Sequence, residues 1–191
     1  MRDETIGSFL TRLAARSAAP GGGATGALHA AQAAALLAMV ARFSDGPRYD
    51  AETVGRVRAA ADGLADEAVD LAVADEVAFG KVAAAYQLPR QTPEEKEARP
   101  PADLMAASVR LIGLAEELLP VANKNVISDI AAASAAITAA AITARVNIEA
   151  NLPGIRDEEL AAELKATAAL ADGVADRADR VATAVREEIS R

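Results

Sequence analysis

One carboxylate stands where a helix should carry apolar side chains. At about 100° per residue, Val57, Leu64, Ala68, Leu71, Ala78, Val82 and Tyr86 align in one stripe, and Asp75 lies in its middle. The neighbouring acids Asp62, Asp66, Asp70 and Glu76 fall off that stripe, as solvent-facing charges should, and Glu67 lies near its edge. A carboxylate on a core face loses hydration, so its pKa rises unless cations or donors compensate. That tuning is what a general acid–base group needs near neutral pH. The same placement also suits a buried aspartate that caps or bridges neighbouring helices.

A second polar pattern lies further along. Asn125, Asp129, Thr143, Asn147 and Asn151 fall on one face of an Ala-rich helix. Asp129 and Asn147 are a whole number of turns apart, which places them roughly 27 Å from one another along the axis. One small site in one subunit cannot use both ends. Either one end is functional, or a neighbouring chain brings the two together, or the groups serve helix–helix hydrogen bonds. Pro20-Gly21-Gly22-Gly23 precedes a helix start, where backbone N–H groups can hold an anion. No Gly-Lys-Ser/Thr follows it and no strand precedes it, so it is not a nucleotide loop, and a plain turn accounts for it equally. His29 reads as a hydrogen-bonded core histidine.

Several chemistries are excluded by composition. The chain of 191 residues has no Cys and one His. Disulfides, thiolate nucleophiles and multi-histidine metal sites are therefore out, and no metal is expected. A net charge of −8 argues against nucleic acid, which needs clustered Lys and Arg. Met1–Phe9 has Asp3 and Glu4 and no long apolar run, so no signal peptide is expected and the protein is predicted to be cytoplasmic. Ala24–Phe43 and Ile127–Val146 reach membrane-spanning length, yet both are built on Ala and the second holds Asp129. They read as buried core helices, with no membrane partner.

The elements that must position these residues are all helical, since Ala, Leu, Glu and Arg dominate. Breakers divide the chain into six helices. They are expected from about Asp3 to Ser17, Ala24 to Phe43, Arg48 to Leu88, Asp103 to Leu119, Asn123 to Asn151 and Asp157 to Ile189. Pro89 closes the third. Thr92-Pro93-Glu94-Glu95 forms a capping start that Pro100-Pro101 soon interrupts. No linker splits residues 1–191, so one all-α, Ala-rich bundle is expected. Ala offers little apolar area, so extra burial between subunits is favoured, and a homo-oligomer is predicted.

Four blocks together resemble the formimidoyltetrahydrofolate cyclodeaminase and methenyltetrahydrofolate cyclohydrolase family. The first is Phe9-Leu10 with Ala19-Pro20-Gly21-Gly22-Gly23 and the helix ending Ala35-Leu36-Leu37-Ala38-Met39-Val40. The second is Arg48-Tyr49. The third is Ala74-Asp75-Glu76-Val77-Ala78-Phe79, continuing to Leu88-Pro89-Arg90-Gln91-Thr92-Pro93-Glu94-Glu95-Lys96 and Arg99. The fourth is Asn123-Lys124-Asn125-Val126-Ile127-Ser128-Asp129 with Asn147 and Asn151, and its wording is closer to the cyclohydrolase branch.

The resemblance implies an all-helical dimer with a tetrahydrofolate derivative as substrate near the subunit interface and no permanently bound cofactor. It places the catalytic aspartate on Asp75. It gives substrate contacts to Gly21, Gly22, Gly23, Arg48, Tyr49, Lys96, Arg99, Asn125, Asp129, Asn147 and Asn151. The Asn and Asp side chains would meet the pterin edge, and Arg48, Lys96 and Arg99 the glutamate carboxylates. The sequence departs from the family at Ala122, where the family has Gly, at Val73, where it has a second Asp, and at His29, Gln32 and Ala33, where it has small glycines. The stretch from Arg99 to Asn123 is also shorter. The expected reaction is hydrolysis of the methenyl compound. The rivals are ammonia-releasing cyclodeamination, an inactive folate-binding or structural dimer, and a scaffold for partner helices without folate affinity.

Overall fold

The computed structural model describes residues 2–86 and 99–191, with 81–86 described by their backbone. Six α-helices follow one another: α1 Ile6–Leu13, α2 Gly22–Phe43, α3 Ala51–Tyr86, α4 Arg99–Leu118, α5 Ser128–Asn151 and α6 Glu158–Ile189. Short 3-10 turns at Leu119–Val121, Lys124–Val126 and Leu152–Gly154 link the later helices. Among the described residues there is no strand.

The helix starts follow capping chemistry. Asp157 accepts from the N–H groups of Glu159 and Leu160 at the head of α6, and Thr5 Oγ1 accepts from Ser8 N at the head of α1. Both satisfy amide donors that the helix itself leaves unpaired. α1 ends at Leu13 rather than near Ser17. The Ala-rich run after it has good helix propensity, but the chain must turn there to start α2, and tertiary placement overrides propensity. Pro89 and the expected capping start Thr92-Pro93-Glu94-Glu95 lie outside the described residues, and Pro100 and Pro101 fall inside α4 rather than before it. They occupy the first turn of α4, where a missing N–H costs nothing, and Pro101 is buried.

α2 is the centre of the bundle and carries no charge until Arg42. Ala24, Ala27, Ala30, Ala34, Leu37 and Ala41 form its buried side. α3 and α5 pack against it in the opposite direction. Gly23 lies at Asp75 and Arg42 bonds Asp62, while Gly26 lies at Thr143 and Asn123 donates to Ser44 Oγ. Small residues set the spacing: a Cβ on Gly26 would stand 2.7 Å from Thr143 Cγ2. The buried hydroxyls of Ser108 and Ser134 donate to the carbonyls one turn earlier, so neither is left unpaired in the core.

Surface ion pairs hold the outer helices in register: Arg110–Glu67 and Arg56–Glu117 between α3 and α4, Arg177–Glu116 between α4 and α6, and Arg145–Asp172 between α5 and α6. Each such exposed pair contributes about 0–1 kcal/mol, so burial of the Ala-rich faces, not charge, holds the bundle. By length and composition, α2 and the segment Ser128–Gly154 could cross a membrane. Both pack into the core, but each keeps an outward side, on which Phe43, Ile142 and Val146 are 58%, 42% and 53% exposed.

Candidate functional site

Asp75 sits in the last third of α3, at the N-terminus of α2. The start of α2 has Gly21 as its N-cap and no side-chain cap, which leaves its amides available. Gly23 makes the approach possible. A Cβ there would stand 1.9 Å from Asp75 Oδ1 and 2.4 Å from Cγ, so only glycine leaves room for the carboxylate. Burial pushes the Asp75 pKa up; the N–H of Ala24 pulls it back, and the neighbouring Glu76 charge raises it further. The net displacement is upward, as expected of a carboxylate on a core face.

The cleft over Asp75 has a volume of about 170 Å³. Gly21, Gly22 and Gly23 form one wall, and Asn147 and Asn151, one turn apart on α5, form another. Of the residues expected to bind substrate, these five join Asp75. Four further residues complete the lining: Ala78 and Phe79 of α3, Pro101 of α4 and Ala150 of α5. Phe79, four residues beyond Asp75 and 49% exposed, is the one aromatic among them. Its spacing from Asp75 is the signal that sequence reasoning did not use.

A second group forms at the opposite end of α5. Arg48, Tyr49, Asn123, Lys124 and Asn125 line a wider hollow of about 490 Å³. The Arg48 guanidinium lies 5.7 Å from the Tyr49 ring centroid, within cation–π range. Asn123 Nδ2 donates to Phe43 O at 2.8 Å, and its Oδ1 accepts from Asn125 N at 3.1 Å, which fixes the bend before α5. Lys124 pairs with Glu188. The polar residues expected on one helix face are thus split between the end of α5 and the turn before it, and one subunit does not bring Arg48, Tyr49 and Asn125 to Asp75.

Two expected contacts join neither group. Asp129 is half-buried in the first turn of α5, and Arg99 is exposed at the start of α4, two residues from Pro101. Lys96 lies outside the described residues. His29 differs from expectation: its Nδ1 is buried without a hydrogen-bond partner among the described residues.

Glu76 also departs from the sequence reading. It is not a free solvent-facing acid. Arg12 Nη1 and Nη2 donate to its two oxygens at 3.1 and 3.0 Å, and the same guanidinium donates to Glu4 at 2.9 Å. Asp66 and Asp70 likewise receive Arg2. α1 is therefore fastened along α3 on the approach to Asp75.

The sequence pattern of the formiminotransferase-cyclodeaminase family matches residues 5–170. A methenyltetrahydrofolate cyclohydrolase from Methylorubrum extorquens is 33% identical over 177 residues, covering 84% of this chain and 85% of that protein. The formimidoyltransferase-cyclodeaminase of Rattus norvegicus is 30% identical over 172 residues, 82% of this chain but 32% of the larger relative. The crystal structure of formiminotetrahydrofolate cyclodeaminase from Thermotoga maritima superposes with a TM-score of 0.83 at 27% identity, covering 99% of this chain and 97% of that one.

Proposed function

The chain belongs to the formiminotransferase-cyclodeaminase family, and from that premise we propose that it is a folate one-carbon enzyme hydrolysing 5,10-methenyltetrahydrofolate to 10-formyltetrahydrofolate, with Asp75 moving the proton. The observation that carries this reading is the Asp75 carboxylate. It is half-buried, burial raises its pKa from the ordinary value, and Gly23 alone permits its position. Asn147 and Asn151 stand across the same cleft.

The substrate is a cationic amidine carbon held between N5 and N10. Water adds to that carbon and gives its proton to Asp75, whose charge also stabilises the cationic bridge beforehand. The protonated Asp75 then returns the proton to N5, which leaves. The new hydroxyl loses its proton to solvent as the formyl carbonyl forms on N10. Asn147 and Asn151 offer both donors and acceptors to the pterin edge, and Phe79 offers a flat apolar surface beside them.

A cleft of about 170 Å³ is small for a whole folate, since ligand pockets usually reach about 300–1,000 Å³. A second copy of the chain is the natural complement. The outward sides of α2 and α5 supply an apolar surface for it, and Arg48, Tyr49 and Asn125 of the partner subunit would complete the site that Asp75 begins. The glutamate carboxylates then suit Arg48.

The Thermotoga and rat relatives favour a second reading, cyclodeamination, in which N10 attacks a formimino carbon and ammonia leaves. The same Asp75 would serve it. Offering each substrate separately decides between them. Loss of the methenyl absorbance without ammonia from the formimino compound supports the hydrolase. Ammonia release without methenyl hydrolysis supports the alternative.

A further inference from the structure

The ion-pair cluster beside Asp75 has a chemical consequence for the site. Arg12 on α1 donates to both oxygens of Glu76 and to both of Glu4, so one guanidinium serves two carboxylates. Glu76 is the residue next to Asp75, and its side chain is 20% exposed, so water screens it only partly. We propose that Arg12 is a positioning residue of the site: by offsetting part of the Glu76 charge it sets the pH at which Asp75 exchanges its proton, and by the same bonds it fastens α1 to α3 beside the cleft. The inference rests on Asp75 being the proton-transfer group proposed above.

No other charged side chain competes for this role among the described residues that face Asp75. α3 contributes Glu76, α2 the uncharged Gly21–Gly23 turn and the Ala24 amide, and α5 Asn147 and Asn151. α4 contributes Pro101, with Arg99 and Asp103 attracting one another further along. His29 lies nearly two turns beyond Gly23 on α2 and is not part of the lining. Arg2 is occupied by Asp66 and Asp70, roughly one and a half to two and a half turns before Asp75. Arg12, shared between Glu76 and Glu4, is thus the cation that decides how much of the Glu76 charge reaches Asp75.

Charge and fastening predict different things, and this makes the test sharp. Arg12→Met leaves Glu76 bare, so Asp75 holds its proton more tightly. Glu76→Gln removes the negative charge and leaves Arg12, so Asp75 releases its proton more easily. Arg12→Met removes the tie between α1 and α3, and Glu76→Gln weakens it to a neutral hydrogen bond. The experiment measures the acid limb of kcat/KM against pH for the full-length protein, the two variants and the double variant. In parallel, the 13C resonance of the Asp75 carboxyl is titrated in each, assigned by its loss in Asp75→Asn.

Arg12→Met should move the limb and the titration up by roughly half a pH unit, the size expected for one partly screened charge on a neighbouring residue. Glu76→Gln should move both down, and the double variant should return close to the unmodified protein. Shifts of the same sign in the two single variants, or none in either, would overturn the inference and leave Arg12 a mere strap. Opposite titration shifts in a protein that turns over no folate would uphold the inference while removing the proposed activity.

Discussion

Replacing Gly23 with Ala should separate activity from stability in opposite directions. The added Cβ would stand 1.9, 2.4 and 2.6 Å from Oδ1, Cγ and Oδ2 of Asp75. Non-bonded carbon contacts settle at about 3.5–4.0 Å, so the carboxylate must retreat by roughly 1.5 Å. It can do so cheaply, because the clash involves only the tip of a side chain that borders an open cleft. A misplacement of about 1 Å at a reacting group costs on the order of 100-fold in rate, so kcat/KM should fall by at least that much. The fold should not suffer. Gly23 has an ordinary helical backbone, and Ala in a helix is favoured over Gly by about 0.5–1 kcal/mol. Tm should therefore hold or rise by about 1–4 °C. Gly63→Ala on α3, where an added Cβ meets nothing within 4 Å, gives the stability effect alone. The assay is steady-state methenyl hydrolysis beside a thermal melt. Near-normal kcat/KM in Gly23→Ala would refute the placement of Asp75 against α2, and a large drop in Tm would refute the claim that the carboxylate yields.

Further expectations follow from the same geometry. Asp75→Asn should melt above the unmodified protein at neutral pH. The folded state holds Asp75 above its ordinary pKa, so the stability linked to its protonated form is present in acid and lost as pH rises through that higher value. The advantage of the Asn variant should shrink as pH falls towards the ordinary carboxylate range near about 4, and melting curves across that span check it. Asn147→Ala should raise KM about ten-fold with a smaller loss in kcat, since one hydrogen bond to bound substrate contributes about 0.5–1.5 kcal/mol; initial-rate kinetics read the split. Ile142→Glu places a charge on the exposed apolar side of α5 and should yield a monomer by sedimentation, with activity lost because the second half of the site is gone. An active monomer would contradict the shared site.

The residue on which the proposed function rests stood out in the sequence because helical periodicity is a local property. Asp75 stands out against Leu64, Ala68 and Ala72, all buried on the same side of α3. The two-ended polar face was legible for the same reason; the structure puts Asn147 and Asn151 at one hollow and Asn125, in the turn before α5, at the other, with Asp129 at neither. Glu76 was misjudged because its partner, Arg12, is 64 residues away and the wheel of one helix cannot include it. The fourth helix was expected to begin only at Asp103 because proline stops a helix anywhere but its first turn, and sequence alone did not place Pro100 and Pro101 in that turn. Pro101 and Ala150 joined the lining unannounced, since neither residue type carries chemistry; only the meeting of α4 and α5 puts them there.

The most direct test of the account follows the near-ultraviolet absorbance of 5,10-methenyltetrahydrofolate under single-turnover conditions, with the unmodified protein and with Asp75→Asn. Rapid loss with the first, and a rate no faster than buffer with a folded Asp75→Asn, is the predicted result. Equal rates in the two proteins would contradict the claim that Asp75 moves the proton.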